Sequence, residues 1–245
     1  MFSRRWWWTT LIVLAAIAVM VRLGFWQLDR LAQRKSANTH LRSMQAAPVL
    51  SLSEDALSQD LTSMEYRGVL ATGWYDFDYQ VAIRNQVWTQ SWGDDPGYAL
   101  LTPLILDNGQ GILVERGWIP AENTTPETWR QFDEAGIISV KGIIRLPMEK
   151  PEMGSVKDPT LAPGQTKLDF WNLVNIERLQ KQIPYPLLPV YIQQSPETSQ
   201  ASMLNRSIPV PDLSDGPHLG FALMWFFFAT LVLFGYPVYL RKQER

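Results

Sequence analysis

HLGFALMWFFFATLVLFGYPVYL, residues 218–240, contains no Asp, Glu, Lys or Arg and is followed at once by Arg241 and Lys242. About 20 helical residues of this character cross the roughly 30 Å hydrocarbon core of a bilayer, so the stretch predicts a transmembrane helix over 218–240. Trp225, Tyr236 and Tyr239 give it the aromatic character of membrane–water boundaries. Pro237, near its end, is tolerated in such a helix or kinks it.

A counterpart lies at the other end. WWWTTLIVLAAIAVMV, residues 6–21, is uncharged after Arg4 and Arg5, and residues 23–28 carry the apolar character past Arg22. Arg22 can snorkel to the headgroups. The run exceeds the about 7 to 15 apolar residues of a signal peptide and no small-residue cleavage site follows, so a retained transmembrane helix is expected over 1–28. LDRLAQRKSANTHLRSMQ, residues 28–45, continues it as a basic amphipathic extension that Pro48 should end. The expected organisation is a helix over 1–28, an extension and linker over 29–63, a β-rich extracytoplasmic domain over 64–217, a second helix over 218–240 and a cytoplasmic tail over 241–245.

Charge near the helices sets the expected orientation. Arg241, Lys242 and Arg245 follow the second helix, whereas Asp212 and Asp215 precede it. Basic residues near short segments favour the cytoplasm, so both termini are expected there, with Arg4 and Arg5 agreeing. Arg30, Arg34, Lys35 and Arg42 argue the opposite way. Long loops, however, translocate largely regardless of charge.

The middle has a different character. Residues 44–217 hold 12 Lys/Arg and 22 Asp/Glu, a net of 12 − 22 = −10, which argues against a nucleic-acid partner. The chain has no cysteine, which excludes disulfides, thiolate metal sites and Cys nucleophiles. YRGVLATGWY (66–75), YQVAIRNQVW (79–88), YALLTPLILD (98–107), GILVERGWIP (111–120), IISVKGIIRL (137–146) and PVYIQQ (189–194) read as strands. Asp107-Asn108-Gly109 reads as a hairpin turn. Helices are expected over 53–61, 125–135 and 175–182, and a polar, Pro-rich loop over 148–164. The expectation is an α+β domain around an antiparallel sheet able to close as a barrel.

Catalytic groups are scarce. His40 and His218 are the histidines, and no Gly-rich phosphate loop, HExxH or GxSxG occurs, so no enzyme is expected. Asp94-Asp95, within WGDDPG, reads as turn chemistry rather than a catalytic pair. His218 stands at the mouth of a membrane helix, where it can ligate a haem iron, bond a propionate or rest as an interfacial residue. Trp26 and Arg30 share a face at i, i+4 spacing, with Trp26 fit for an aromatic belt, and Gln27 can bond a neighbouring helix. Arg67, Arg84 and Arg116, on apolar strand patterns, can pair structurally with Glu65 or Glu115, or reach an external carboxylate.

Taken in order, LGFWQLDR (23–30), EYRGVLATGWY (65–75), the Arg84 strand, GYALLTPL (97–104), ILVERGWIP (112–120), GIIRLPME (142–149) and HLGFALMWF (218–226) resemble the Surfeit-locus (SURF, Shy in yeast) cytochrome oxidase assembly family. The resemblance spans nearly the whole chain. It implies a chaperone of haem-copper oxidase biogenesis that binds haem A and helps place it in the catalytic subunit. It puts the haem-linked histidine of an HLxYAxxW motif at His218, with Trp225 in the same motif and Trp26 and Gln27 on the facing helix. Its docking surface would include Arg30, Glu65, Tyr66, Arg67, Arg84, Arg116 and Trp118, meeting oxidase subunits or other assembly factors. A scaffold that stabilises assembly intermediates without haem remains the alternative. Phe221 replaces the motif's Tyr, Gly216-Pro217 replaces an Asn before the histidine, and GSVKDP replaces a Pro-x-Asn loop. With no mitochondrial transit peptide visible ahead of the first helix, the expected location is a bacterial plasma membrane.

Overall fold

The computed structural model describes residues 6–52, 58–90, 93–148, 156, 158–161, 164–196, 204–208 and 211–243. Helix α1 (Trp7–Ala46) precedes strands β1 (Leu50–Ser51), β2 (Gly68–Tyr75), β3 (Val81–Gln90), β4 (Gly93–Leu106) and β5 (Gly111–Pro120). Then follow α2 (Pro126–Trp129), β6 (Ile138–Arg145), β7 (Phe170–Trp171), α3 (Ile176–Leu179), β8 (Leu187–Gln194) and α4 (His218–Gln243). These elements form two compact units, residues 1–42 with 211–245, and residues 43–210.

In the first unit, α1 and α4 are both long and apolar enough to cross a membrane. At about 1.5 Å per residue, the 40 residues of α1 extend some 60 Å, twice a bilayer core. The helix therefore continues through residues 29–46 without a break and stops just before Pro48, where the ring forbids its continuation. Contacts along α1 meet α4 in reverse order, which makes the pair antiparallel. Thr9 and Thr10 hydroxyls bond Tyr236 at 2.9 and 3.0 Å, and Phe25 meets Phe226 edge to face at 5.4 Å. At Gly24 a Cβ would lie 2.6 Å from the Phe226 ring, so glycine is what admits that ring.

The second unit is built on a five-stranded barrel. Strands β2, β6, β8, β5 and β4 pair in that order, and β4 returns to β2 through Gly73–Leu106, Trp74–Ile105 and Tyr75–Leu104. Val69, Ala71, Leu104, Ile112, Val114, Val140, Ile144, Val190 and Ile192 fill the interior at alternate strand positions. The opposite faces of β4 and β5 are also covered, by Leu168, Trp171, Ile176, Leu179 and Ile183 in one cluster and Trp129 and Leu204 in another. Burial on both faces explains why GILVERGWIP reads as a nearly continuous apolar run rather than an alternating one. Each fully buried Leu or Ile in these clusters contributes about 1.5–3 kcal/mol.

The sheet is not wholly antiparallel. β8 runs parallel to β5, and β1 and β7 pair in parallel with β2 and β3. A parallel neighbour needs a crossover of a dozen or more residues, and the long segment before β8 supplies it. The two expected inner helices are shorter than their patterns. Residues 125–135 give α2 and a 3-10 turn, Arg130–Phe132, and residues 175–182 give α3 and Gln180–Gln182. Asn175 caps α3 by accepting from Arg178 N at 3.0 Å. Of the expected polar helix over 53–61, residues 53–57 lie outside the described residues, and Leu61–Ser63 is a 3-10 turn capped by Asp60. Much of the loop expected over 148–164 also lies outside them.

Candidate functional site

His218 opens α4, and its Nδ1 lies 2.9 Å from Gln27 Oε1 on α1. With the amide oxygen accepting, Nδ1 carries a proton, and in the neutral imidazole Nε2 is the nitrogen left with a lone pair. This is the arrangement that orients a ligating imidazole. Gly216 has φ +69, a left-handed conformation that favours glycine, and a Cβ there would make ordinary contact with the His218 ring, 3.4 Å from Cδ2 and 3.6 Å from Nε2. Trp26 is exposed, with the Arg30 guanidinium 5.6 Å over its ring, and Arg30 also donates to Gln33 at 3.1 Å. Trp225 is half-buried two helical turns beyond His218. Among the described residues no group of three or more His, Cys, Asp or Glu could hold a metal ion. An iron with an axial imidazole needs no such cluster.

The basic residues after the first apolar run have partners. Arg34 pairs with Asp212 at 3.4 Å and donates to the carbonyls of Asp212 and Ser214. Lys35 pairs with Asp215 at 3.8 Å, and Asn38 donates to the carbonyls of Leu213 and Ser214 at 3.0 and 3.1 Å. Backbone and side-chain hydrogen bonds from Ser214, helped by Arg34, hold the Asp212 carboxyl below its ordinary value. Asp212 and Asp215 entered the sequence reading as topology markers. Their separation of nearly 180 residues from Arg34 and Lys35 concealed the pairing.

The β-rich unit sorts the remaining sequence candidates. Arg116 is fully buried and pairs with Glu134 at 3.4 Å, not with Glu65 or Glu115. It donates to Gln80 Oε1 at 3.0 Å and to the Phe132 carbonyl, and its guanidinium lies 4.7 Å over Tyr75 and 5.1 Å over Phe77. Burial pushes the Tyr75 hydroxyl above its ordinary value, against the opposing pull of Arg116. Glu65 pairs with Arg145 at 3.7 Å, and Arg145 lies 4.5 Å over Tyr66. Tyr66 is held at φ 68, a left-handed conformation uncommon for a bulky residue. Arg67 donates to the Pro48 carbonyl at 3.2 Å. A bulge at residues 84–85, with Asn85 at φ 60, leaves Arg84 exposed and 4.9 Å over Phe170. Trp118 is buried beside Trp88, ring centroids 6.2 Å apart.

Sequence reasoning missed Glu134 and Arg206. Arg206 donates to Glu134 at 3.0 Å and to the Arg116 carbonyl at 2.7 Å, so two buried arginines share one partly exposed carboxylate. Neither sits in a periodic strand or helix pattern, so no local signal marked them.

Two antiparallel membrane-length helices, one presenting a hydrogen-bonded imidazole at its mouth, together with a closed barrel, define a membrane-anchored β-barrel protein. The sequence pattern of the SURF1 family matches residues 14–230, and the chain belongs to that family. A SURF1-like protein of Rickettsia bellii is similar, 28% identical over 232 residues covering 94% of this chain and 89% of its own. A SURF1-like protein of Mycobacterium bovis is 25% identical, covering 90% and 78%, and Surfeit locus protein 1 of Takifugu rubripes is 25% identical, covering 64% and 67%.

Proposed function

We propose that this protein is a non-catalytic assembly factor for a haem-copper cytochrome oxidase that holds haem A at its helix pair and hands it to the catalytic subunit. The observation that carries this reading is the His218–Gln27 hydrogen bond. An imidazole whose Nδ1 proton is engaged and whose Nε2 is uncommitted suits an axial ligand. Haem A, when bound, supplies the iron that the recipient oxidase later uses for electron transfer. Gln27 fixes the His218 tautomer and ring orientation. Trp26, exposed on α1, and Trp225, on α4, offer aromatic faces to a planar macrocycle. Phe221 has no hydroxyl to bond a polar edge, so His218 would hold the group through its iron and the surrounding rings through apolar contact.

The location that goes with this reading is a bacterial plasma membrane, with both termini cytoplasmic and the β-rich unit outside. Arg34 and Lys35 sit in exposed pairs with Asp212 and Asp215, and the reading rests on the basic residues after α4 and on long loops translocating largely regardless of charge. The β-rich unit then meets oxidase subunits or other assembly factors. Deleting the protein should lower the haem A content per oxidase complex purified from the membrane. An unchanged content would overturn the proposal. A reporter active only outside the cytoplasm, fused within residues 148–164, should be active, and silence would reverse the orientation.

A further inference from the structure

A polar cleft of about 190 Å³ opens on the β-rich unit between the distal half of β3, the 115–118 segment of β5, the end of β8 and the strap at residues 205–207. Two glycines shape it. At Gly117, φ +144, a Cβ would lie 2.8 Å from the Asn205 carbonyl oxygen, and at Gly97 it would lie 2.4 Å from Trp118 Nε1. These close approaches seat the strap and the Trp118 indole against the sheet.

Its polar groups are unevenly satisfied. Trp118 Nε1 is buried and has no hydrogen-bond partner among the described residues. A buried donor left unmade carries a desolvation penalty that an incoming acceptor would remove. Glu115, in the cleft wall, accepts from Gln193 Nε2 at 3.1 Å and has no ion-pair partner among the described residues. The neighbouring cations are taken, since Arg116 and Arg206 both meet Glu134 and Arg145 meets Glu65. Burial raises the Glu115 carboxyl above its ordinary value, with the Gln193 hydrogen bond and the Arg145 charge opposing. A cation brought to it would relieve that cost.

The surroundings favour a polypeptide over a free small cation. Trp88 and Trp118, 6.2 Å apart, line the cleft and offer ring faces suited to a guanidinium or an aliphatic stem. β3 pairs with β4 along residues 86–90, while its other neighbour β7 meets it only at Ala82 and Ile83. Among the described residues, the β3 edge beside the cleft is therefore open to an added strand. With 12 Lys/Arg against 20 Asp/Glu over residues 43–210, a net of 12 − 20 = −8, the unit draws basic segments toward itself.

We infer that this cleft docks an arginine side chain from an extended segment of a partner polypeptide, its guanidinium on Glu115 and against the Trp88–Trp118 pair, with a main-chain carbonyl of the segment accepting from Trp118 Nε1. The inference stands on the β-rich unit alone and goes beyond the haem reading without resting on it.

The test uses the full chain in lipid nanodiscs with ¹⁵N-labelled tryptophan. Nα-acetyl-arginine methylamide is the probe and its neutral citrulline counterpart the control. The Trp118 indole signal, assigned by its loss in Trp118→Phe, should move saturably with the arginine probe and not with the citrulline one. Glu115→Gln should weaken binding about tenfold, and Trp88→Ala, an edge-strand change that leaves the acid in place, about threefold. No saturable shift, equal response to the neutral probe, or unchanged affinity in both variants would overturn the inference.

Discussion

Arg116 in the β-rich unit and His218 in the helix pair are both polar groups set among apolar residues, but their surroundings treat them in opposite ways. The Arg116 guanidinium is enclosed by Gln80, Phe132, Glu134 and two aromatic rings, leaving no exposed surface. His218 is half-buried, and among the described residues its ring hydrogen-bonds through Nδ1 to Gln27. A buried charge given a counter-ion, hydrogen-bond acceptors and two ring faces serves the fold, because breaking its network leaves buried polar groups uncompensated. An imidazole oriented by a single partner keeps coordinating capacity in reserve. The difference separates a centre whose partners all belong to the fold from a side chain that the proposed haem site would use.

Substitutions should respond accordingly. Arg116→Ala strands Glu134 against Arg206 alone and vacates the space over Tyr75, so it should cost about 3–5 kcal/mol of stability, read from thermal or denaturant unfolding. A loss below about 1 kcal/mol would mean that the network is dispensable and the comparison false. Gln27→Ala should leave unfolding nearly unchanged while weakening haem A binding about 10–100-fold, the usual effect of removing the group that orients a ligating histidine. An equal loss of stability would make Gln27 a structural contact instead.

Glu115→Gln sharpens the comparison through pH. The folded-state value of Glu115 is raised above its reference of 4.5, so the unfolded chain releases this proton first as pH rises. Wild-type stability should therefore fall relative to Glu115→Gln from about pH 4.5 up to the raised value and then level off. A difference between the two proteins that does not change with pH would contradict the assigned burial. The smallest effect is expected for Arg34→Gln. Its pair with Asp212 is exposed, so stability should shift by less than about 1 kcal/mol, measured by the same unfolding experiment.

What the sequence made legible follows the range of the interactions involved. Residues 218–240 and 6–28 announced two membrane helices because a span needs length and absence of charge, both local properties. The strand runs announced themselves by β-branched and aromatic content. Closure of the barrel through Tyr75 and Leu104, and the insertion of β8 beside β5, depend on pairings between distant segments that no window contains. The same limit applies to the sites. His218 and Gln27 were each marked by chemistry and position, yet their partnership across 191 residues required the structure. Arg116 was noticed as a charge in an apolar strand, but its true partner, Glu134, lies in an irregular segment after α2.

The most direct measurement is a haem A titration of the purified chain in nanodiscs, followed by absorption spectroscopy, for the wild type and His218→Ala side by side. The wild type should bind one haem with the spectrum of an imidazole-ligated iron, and His218→Ala should lose that spectrum while unfolding at the same temperature. Identical binding and identical spectra in the two proteins would contradict the account.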